Sequence, residues 1–276
     1  MQIKNYQCYN LNAKEKINPI KLISEQLQQT DLMCKSLEQI RPEVIKDYLT
    51  NFEKKLNEAI GLFNIESSKL LLNANMQNLV ILKEFPEIIE LIIQFICKSL
   101  ELPTNYHQGG IEVLVFNRRK ANEHLSYYRV KSLVDTLGIK NGSRLYKRIV
   151  PFLIHQGKIK VPNVTLKDYC QGEVKRWCKT GLGNFISVIF DDYRHLYRFD
   201  RCMIHEVLKD FNDPDMAYLC SCFFNDHPEY NKDRTIHLRR TQTLHHGEFC
   251  DEFWWDNDIY PNAKQPSLEF TKKLDH

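Results

Sequence analysis

Residues able to attack carbon, relay protons or hold an anion crowd the stretch from Arg201 to Trp255. They are Cys202, Cys220, Cys222, Asp226, His227, Arg239, Arg240, Thr241, Thr243, His245, His246, Cys250 and Asp251. The chemistry they suit is attack by a thiol with acid–base help. A cysteine attacks as its thiolate, which a nearby His, Arg or helix N-terminus stabilises. Cys222 shortly precedes Asp226 and His227, and Cys250 follows His246 by four residues. Cys202 opens a helical segment whose dipole favours the thiolate. Taken singly, a cysteine is more often a small buried core residue. Cys220, Cys222, His227, His245, His246 and Cys250 are also soft zinc ligands, but their spacing fits no standard finger or ribbon. No metal and no cofactor is therefore expected. Adjacent His245 and His246 at a strand end point to opposite faces, so at most one lines any site. The Arg240 fork suits a substrate carboxylate held through two parallel hydrogen bonds. The alternative for Arg240 is an ion pair, for instance with Asp251 across a hairpin. On a regular strand Thr243 shares the face of Arg239, so joining it to Arg240 requires a bulge or a strand end.

These residues follow an order. It runs Arg201-Cys202, a helical segment, Cys222 with Asp226, Arg240-Thr241-Gln242-Thr243-Leu244, Gly247 and Cys250-Asp251. This order resembles the L-2-amino-thiazoline-4-carboxylic acid hydrolase family. The resemblance covers roughly residues 120–256 and is sharp from Arg201 onward. There are two departures: Glu252 stands between Asp251 and Phe253, and Asp226 follows Cys222 by four residues, one more than the family pattern. The resemblance implies ring-opening hydrolysis of a small cyclic C=N compound, a thiazoline or amidine bearing a carboxylate, in natural-product or sulfur amino-acid metabolism. Under it Cys222 or Cys250 is the nucleophile and Asp226 or His227 the proton carrier. Arg240 anchors the substrate, with Thr243, Cys202, Asp251 and His246 beside it. A second resemblance, to vinyl-reductase-type small-molecule-binding domains, implies a non-catalytic sensor instead.

The elements that must position these groups suggest an α+β fold: an N-terminal helical region, then a domain of helices and antiparallel sheet. Residues 1–103 read as a helical packing or dimerisation region, able to pair two copies. Ile45, Leu49, Phe52, Leu56, Ala59, Ile60 and Phe63 give one apolar stripe, and Ser67–Asn73 and Phe85–Leu100 continue the style. Pro103, Asn105, Gly109 and Gly110 mark a boundary within Leu102–Gly110. Residues 111–260 carry the hydrolase-like domain. It begins with a strand at Ile111–Phe116 and helices at Ala121–Leu137, Ser143–Gln156 and Thr165–Lys179. A strand at Ile186–Phe190 and short helices at Cys202–Phe211 and Pro214–Phe224 follow. A hairpin pairs Ile236–Leu244 with Phe249–Trp255 around His246-Gly247. Residues 261–276 read as a loosely ordered tail.

Composition bounds the function classes. Net charge of +3 and a pI near 8.3 are too mild to call for nucleic acid. Tyr193, Tyr197 and Phe199 alternate with Arg194 and Arg198, yet no extended basic stripe accompanies them. The window Asn78–Leu100 contains Lys83, Glu84, Pro86, Glu87 and Glu90, and so reads as a buried helix rather than a membrane span. Residues 1–10 are polar and show no secretory signal. Nine cysteines without one suggest free thiols in a reducing cytoplasm.

Overall fold

Residues 183–202 fold back on themselves as two long strands, and a sheet grows outward from them. In the computed structural model, which describes residues 1–65, 70, 77–106, 108–156, 164–261 and 263–274, the chain is α+β as expected. It divides into a helical unit, Lys14–Gln156, and a sheet unit made of Met1–Ala13 with Gly157–His276.

The helical unit contains α1 (Pro19–Ile40), α2 (Ile45–Ile60), α3 (Pro86–Ser99), α4 (Val115–Leu137) and α5 (Ile139–Gln156). Asn18 starts α1 by accepting the Ile20 amide at 3.0 Å, with Pro19 in the first turn, where a missing N–H costs nothing. The expected α2 stripe is buried at Leu49, Phe52, Leu56 and Ile60. The Ser67–Asn73 segment lies outside the described residues, apart from Leu70. The expected boundary at 102–110 falls inside this unit. The reason is a two-stranded ribbon: β2 (Lys14–Ile17) pairs antiparallel with β3 (Ile111–Leu114), tying the chain on either side of α1–α3 together.

In the sheet unit five antiparallel strands lie in the order β1-β4-β5-β7-β6. They are β1 (Gln2–Gln7), β4 (Gly183–Asp191), β5 (Arg194–Cys202), β6 (Ile236–Arg239) and β7 (Cys250–Asp256). Residues 2–7, expected within the helical region, are instead the edge strand, with Gln2 opposite Ile189. β5 was not anticipated at all; it sits at the centre, paired on both sides. One face of the sheet is covered by α6 (Leu166–Lys179), capped by Thr165, whose hydroxyl accepts the Asp168 amide at 3.2 Å. Trp177 of α6 packs edge-on against Tyr197 and Phe199, centroids 4.9 and 5.0 Å away. On the other face Ile186, Val188, Leu196, Phe253, Trp255 and Leu274 form one core.

Two expectations fail here. The segment 261–276 is not a loose tail. Within it α11 (Leu268–Lys272) is followed by the buried Leu274, and Arg198 Nη1 donates to the carbonyls of Thr271, Lys272 and Leu274 at 3.1, 3.0 and 2.7 Å. Nor are all cysteines free. Cys8, just after β1, is bonded to Cys178 of α6, which leaves seven free thiols. Among the described residues no helix is long and apolar enough to cross a membrane.

Candidate functional site

Residues 203–256 of the sheet unit bring most of the expected groups together, in changed roles. β5 ends at Cys202 and leads into α7 (Met203–Leu208). Then come α8 (Pro214–Cys220), α9 (Phe223–Asp226) and α10 (Pro228–Asn231) before β6. Asp213 caps α8 by accepting the Met216 amide at 3.2 Å, with Pro214 at the first turn. α9 is a single turn, and the Asp226 amide donates to the Cys222 carbonyl at 3.3 Å. The four-residue spacing from Cys222 to Asp226 is therefore one helical turn, which sets the carboxylate on the same side as the thiol.

β6 and β7 pair antiparallel, Ile236 opposite Asp256 and Arg239 opposite Phe253, but the expected strand to Leu244 stops at Arg239. Asp251 is the cause. Its fully buried carboxylate accepts the Thr241 amide at 2.8 Å and the Gln242 amide at 2.9 Å, and it also takes the Thr241 hydroxyl and, at 2.6 Å, the Gln265 amide group. The chain bends around it, and the amides of His246 and Gly247 close a turn on the Thr243 carbonyl. Asp251 thus holds the loop and has no acceptor left for a substrate, contrary to its expected role.

Arg240 occupies the centre. Nη1 donates to Asp226 at 2.7 Å and Nη2 to Glu252 at 2.6 Å, and the side chain is 8 % exposed. The fork expected to hold a substrate carboxylate already holds two of the protein's own. Glu252, which stands between Asp251 and Phe253, is one of them; it also accepts the Trp254 ring N–H at 3.1 Å. Burial pushes the Asp226 carboxyl above its usual range, with Arg240 opposing. The guanidinium stays charged between its two partners.

The thiols lie around this charge. Burial pushes Cys222 up to about 12, with Arg240 pulling it down and Cys202 and Asp226 nearby. Cys250 is likewise raised by burial, with Arg240 opposing and Cys222, Glu252 and Cys202 adding to the rise. Both are protonated at neutral pH, so the low-pKa thiolate expected here is not the resting state. Part of Cys222 remains exposed even though its thiol is densely surrounded, whereas Cys250 is buried.

Beside Cys222 runs a row that sequence reading missed. Ser221 Oγ lies 3.6 Å from Cys222 Sγ and 3.3 Å from His245 Nε2, and it donates to the Ala217 carbonyl at 2.6 Å. His245 Nδ1 is 3.4 Å from His205 Nδ1. Burial, then the neighbouring His205 and His246, push His245 down to about 4, so its ring is neutral, with one nitrogen a donor and the other an acceptor. The rule that one of His245 and His246 faces the site holds, but the inward one is His245. His246 lies outside, paired with Asp215 at 2.9 Å. His227 also turns away: its Nδ1 accepts the Glu229 amide at 3.1 Å and caps α10. Thr243 is buried, and its hydroxyl has no hydrogen-bond partner among the described residues. Ser221 and His205 carry no spacing signal of their own; only their neighbours Cys222 and Cys202 marked the region.

Among the described residues no cluster of His, Cys, Asp and Glu has the geometry to hold a metal ion. Compared with family models, with curated proteins and with solved structures, the chain matches none.

Proposed function

We propose that the sheet unit is a hydrolase for a small cyclic C=N compound, a thiazoline or amidine carrying a carboxylate, with Cys222 as the attacking group. The observation that supports this is the row Cys222–Ser221–His245–His205, a thiol joined through a hydroxyl to a neutral imidazole. The thiol rests protonated; for it to lose its proton to His245 as it attacks, the Ser221 hydroxyl must turn from the Ala217 carbonyl toward His245 Nε2, so that it accepts from Cys222 and donates to the imidazole. Sulfur adds to the C=N carbon, and the ring nitrogen takes the proton that His245 received. The tetrahedral carbon then expels the ring heteroatom, breaking its bond to that carbon; water adds in its place and displaces Cys222, one proton of the water going to the expelled heteroatom and the other to the Cys222 sulfur. The net reaction adds one water across the ring bond. Arg240, no longer a substrate clamp, stabilises the thiolate as a fixed charge. The small-molecule substrate and pairing of two copies through the helical unit belong to the same proposal.

The test is turnover of 2-aminothiazoline-4-carboxylate, followed by the appearance of ring-opened product. Cys222→Ser and His245→Gln should each lower kcat by on the order of a hundredfold or more. Full activity in both would end the reading. One observation favours a second reading, a non-catalytic small-molecule sensor of the vinyl-reductase type: burial holds Cys222 and Cys250 protonated. Saturable thiazoline binding without turnover by the parent protein would select the sensor.

A further inference from the structure

We propose that a cleft on the α6-facing side of the sheet is a second binding site, for a small organic carboxylate with an apolar body and a hydroxyl or similar group at its inner end. The cleft has a volume of about 300 Å³ and lies between α6 and strands β1, β4 and β5, apart from the Cys222 row. Its inner residues include His195, Ser187, Tyr197 and Cys170, and Lys4 and Lys175 stand at its mouth. This volume is at the small end of known ligand pockets.

His195 is the observation that points to a ligand. It is 1 % exposed, and neither ring nitrogen makes a well-formed hydrogen bond among the described residues. The Asp191 carbonyl is close enough to affect one nitrogen and leaves the other without a partner. A buried imidazole in that condition is costly where leucine or phenylalanine would pack as well. Burial holds it below its ordinary pKa, so the ring is neutral and offers one donor and one acceptor. Register explains its position. His195 is opposite Ile189 and Ser187 is opposite Tyr197, so these side chains share one face of the sheet. Lys4 is opposite Ser187 on the same face, two strands across and two residues along from His195, or about 12 Å.

The middle of the cleft is apolar, walled by Ile189, Val174 and the ring of Tyr6. The Cys170 thiol is pushed up to about 12 by burial and adds no charge. The carboxylates that act on His195 and Cys170 each have a basic partner: Asp191 has Arg194, Asp192 has Lys167 and Glu173 has Arg176, while Glu252 shares Arg240 with Asp226. Among the described residues neither Lys4 nor Lys175 has an ion-pair partner, so both lend the mouth net positive charge. The ordering is thus polar and neutral inside, apolar in the middle and cationic outside, which matches a short aromatic acid rather than a phosphate or a peptide.

The probe is 4-hydroxyphenylacetate, titrated into the full chain by calorimetry and followed in parallel by the His195 ring nitrogen shifts. Its neutral amide is the control. The acid should bind one equivalent, with the amide at least about tenfold weaker. Lys4→Gln with Lys175→Gln, both on the surface, should bring the acid down to the level of the amide. His195→Phe should keep or raise the melting temperature and weaken binding by a similar factor. Three outcomes overturn the proposal: no saturable binding of the acid up to about 10 mM, equal binding of acid and amide, or undiminished binding by the double lysine variant. If His195→Phe does not fold, the lysine variant and the His195 shifts still decide.

Discussion

Replacing Arg240 by alanine leaves Asp226 and Glu252 as uncompensated buried carboxylates, which should cost about 3–5 kcal/mol in urea unfolding. Arg240→Lys keeps the charge but cannot serve both partners with a planar fork, so its loss should fall between parent and alanine. A midpoint unchanged in Arg240→Ala would mean the triad is not closed in solution. His245 gives a second residue-level prediction, with a definite sign. Its folded pKa is near 4 against 6.5 unfolded, so its contribution is complete above pH 6.5 and is lost as pH falls toward 4. Allowing for its partial exposure, that loss is about 2 kcal/mol, and His245→Gln should flatten the acid limb of the stability curve by this amount. For Cys222, at about 12, iodoacetamide labelling near neutral pH without substrate should run on the order of a thousandfold slower than for a free thiol. Much of this neighbourhood was legible in the sequence: Cys222, Asp226, Arg240 and Cys250 do converge. Their roles were not legible, because the function of an arginine depends on which carboxylates reach it first. Glu252 looked like an interruption of a pattern and is in fact a partner.

Helices were readable where their burial is one-sided. The α2 stripe at Leu49, Phe52, Leu56 and Ile60 faces a core and leaves polar residues opposite. β1 and β5 escaped notice for different physical reasons. β1 is an edge strand, exposed at nearly every position, and Gln-Ile-Lys-Asn-Tyr-Gln carries no apolar alternation. β5 has both faces covered, so Leu196 packs on one side and Tyr197 and Phe199 on the other, while Arg198 is spent on carbonyls of the C-terminal segment. Its mixture of arginines and aromatics therefore resembled a surface run. Two glycines test the packing of these elements. A Cβ at Gly142 of α5 would meet the Val134 Cα of α4 at 2.5 Å, and one at Gly183 of β4 would press on the Arg201 carbonyl of β5. Each alanine substitution should cost about 1–3 kcal/mol, measured as a shift in melting temperature. Neutral behaviour at Gly183 would mean the end of the β4–β5 ladder is looser than described.

Across the whole molecule, Cys8–Cys178 closes a loop with a sequence separation of 170 residues. Breaking it by reduction or by Cys8→Ser should lower stability by about 2–4 kcal/mol. Thiol titration of the denatured, non-reduced protein from its native compartment should find seven free cysteines; nine would mean that the compartment keeps the pair reduced. The cysteine count alone suggested nine, because the partner of Cys8 becomes a neighbour only through the pairing of β1 with β4. That pairing also orders events in time. Gln2 leaves the ribosome long before Ile189 exists, and at typical synthesis rates the first strand waits roughly 10–40 s for its partner. During the wait the chain holds Cys34 and Cys97 before Cys170 and Cys178 are made, so any early oxidation of Cys8 joins it to the wrong sulfur. Of the five strands of this sheet β1 is made first yet is among the last to be seated, and a nascent chain must reach residue 178 with Cys8 still reduced if the native bridge is to form.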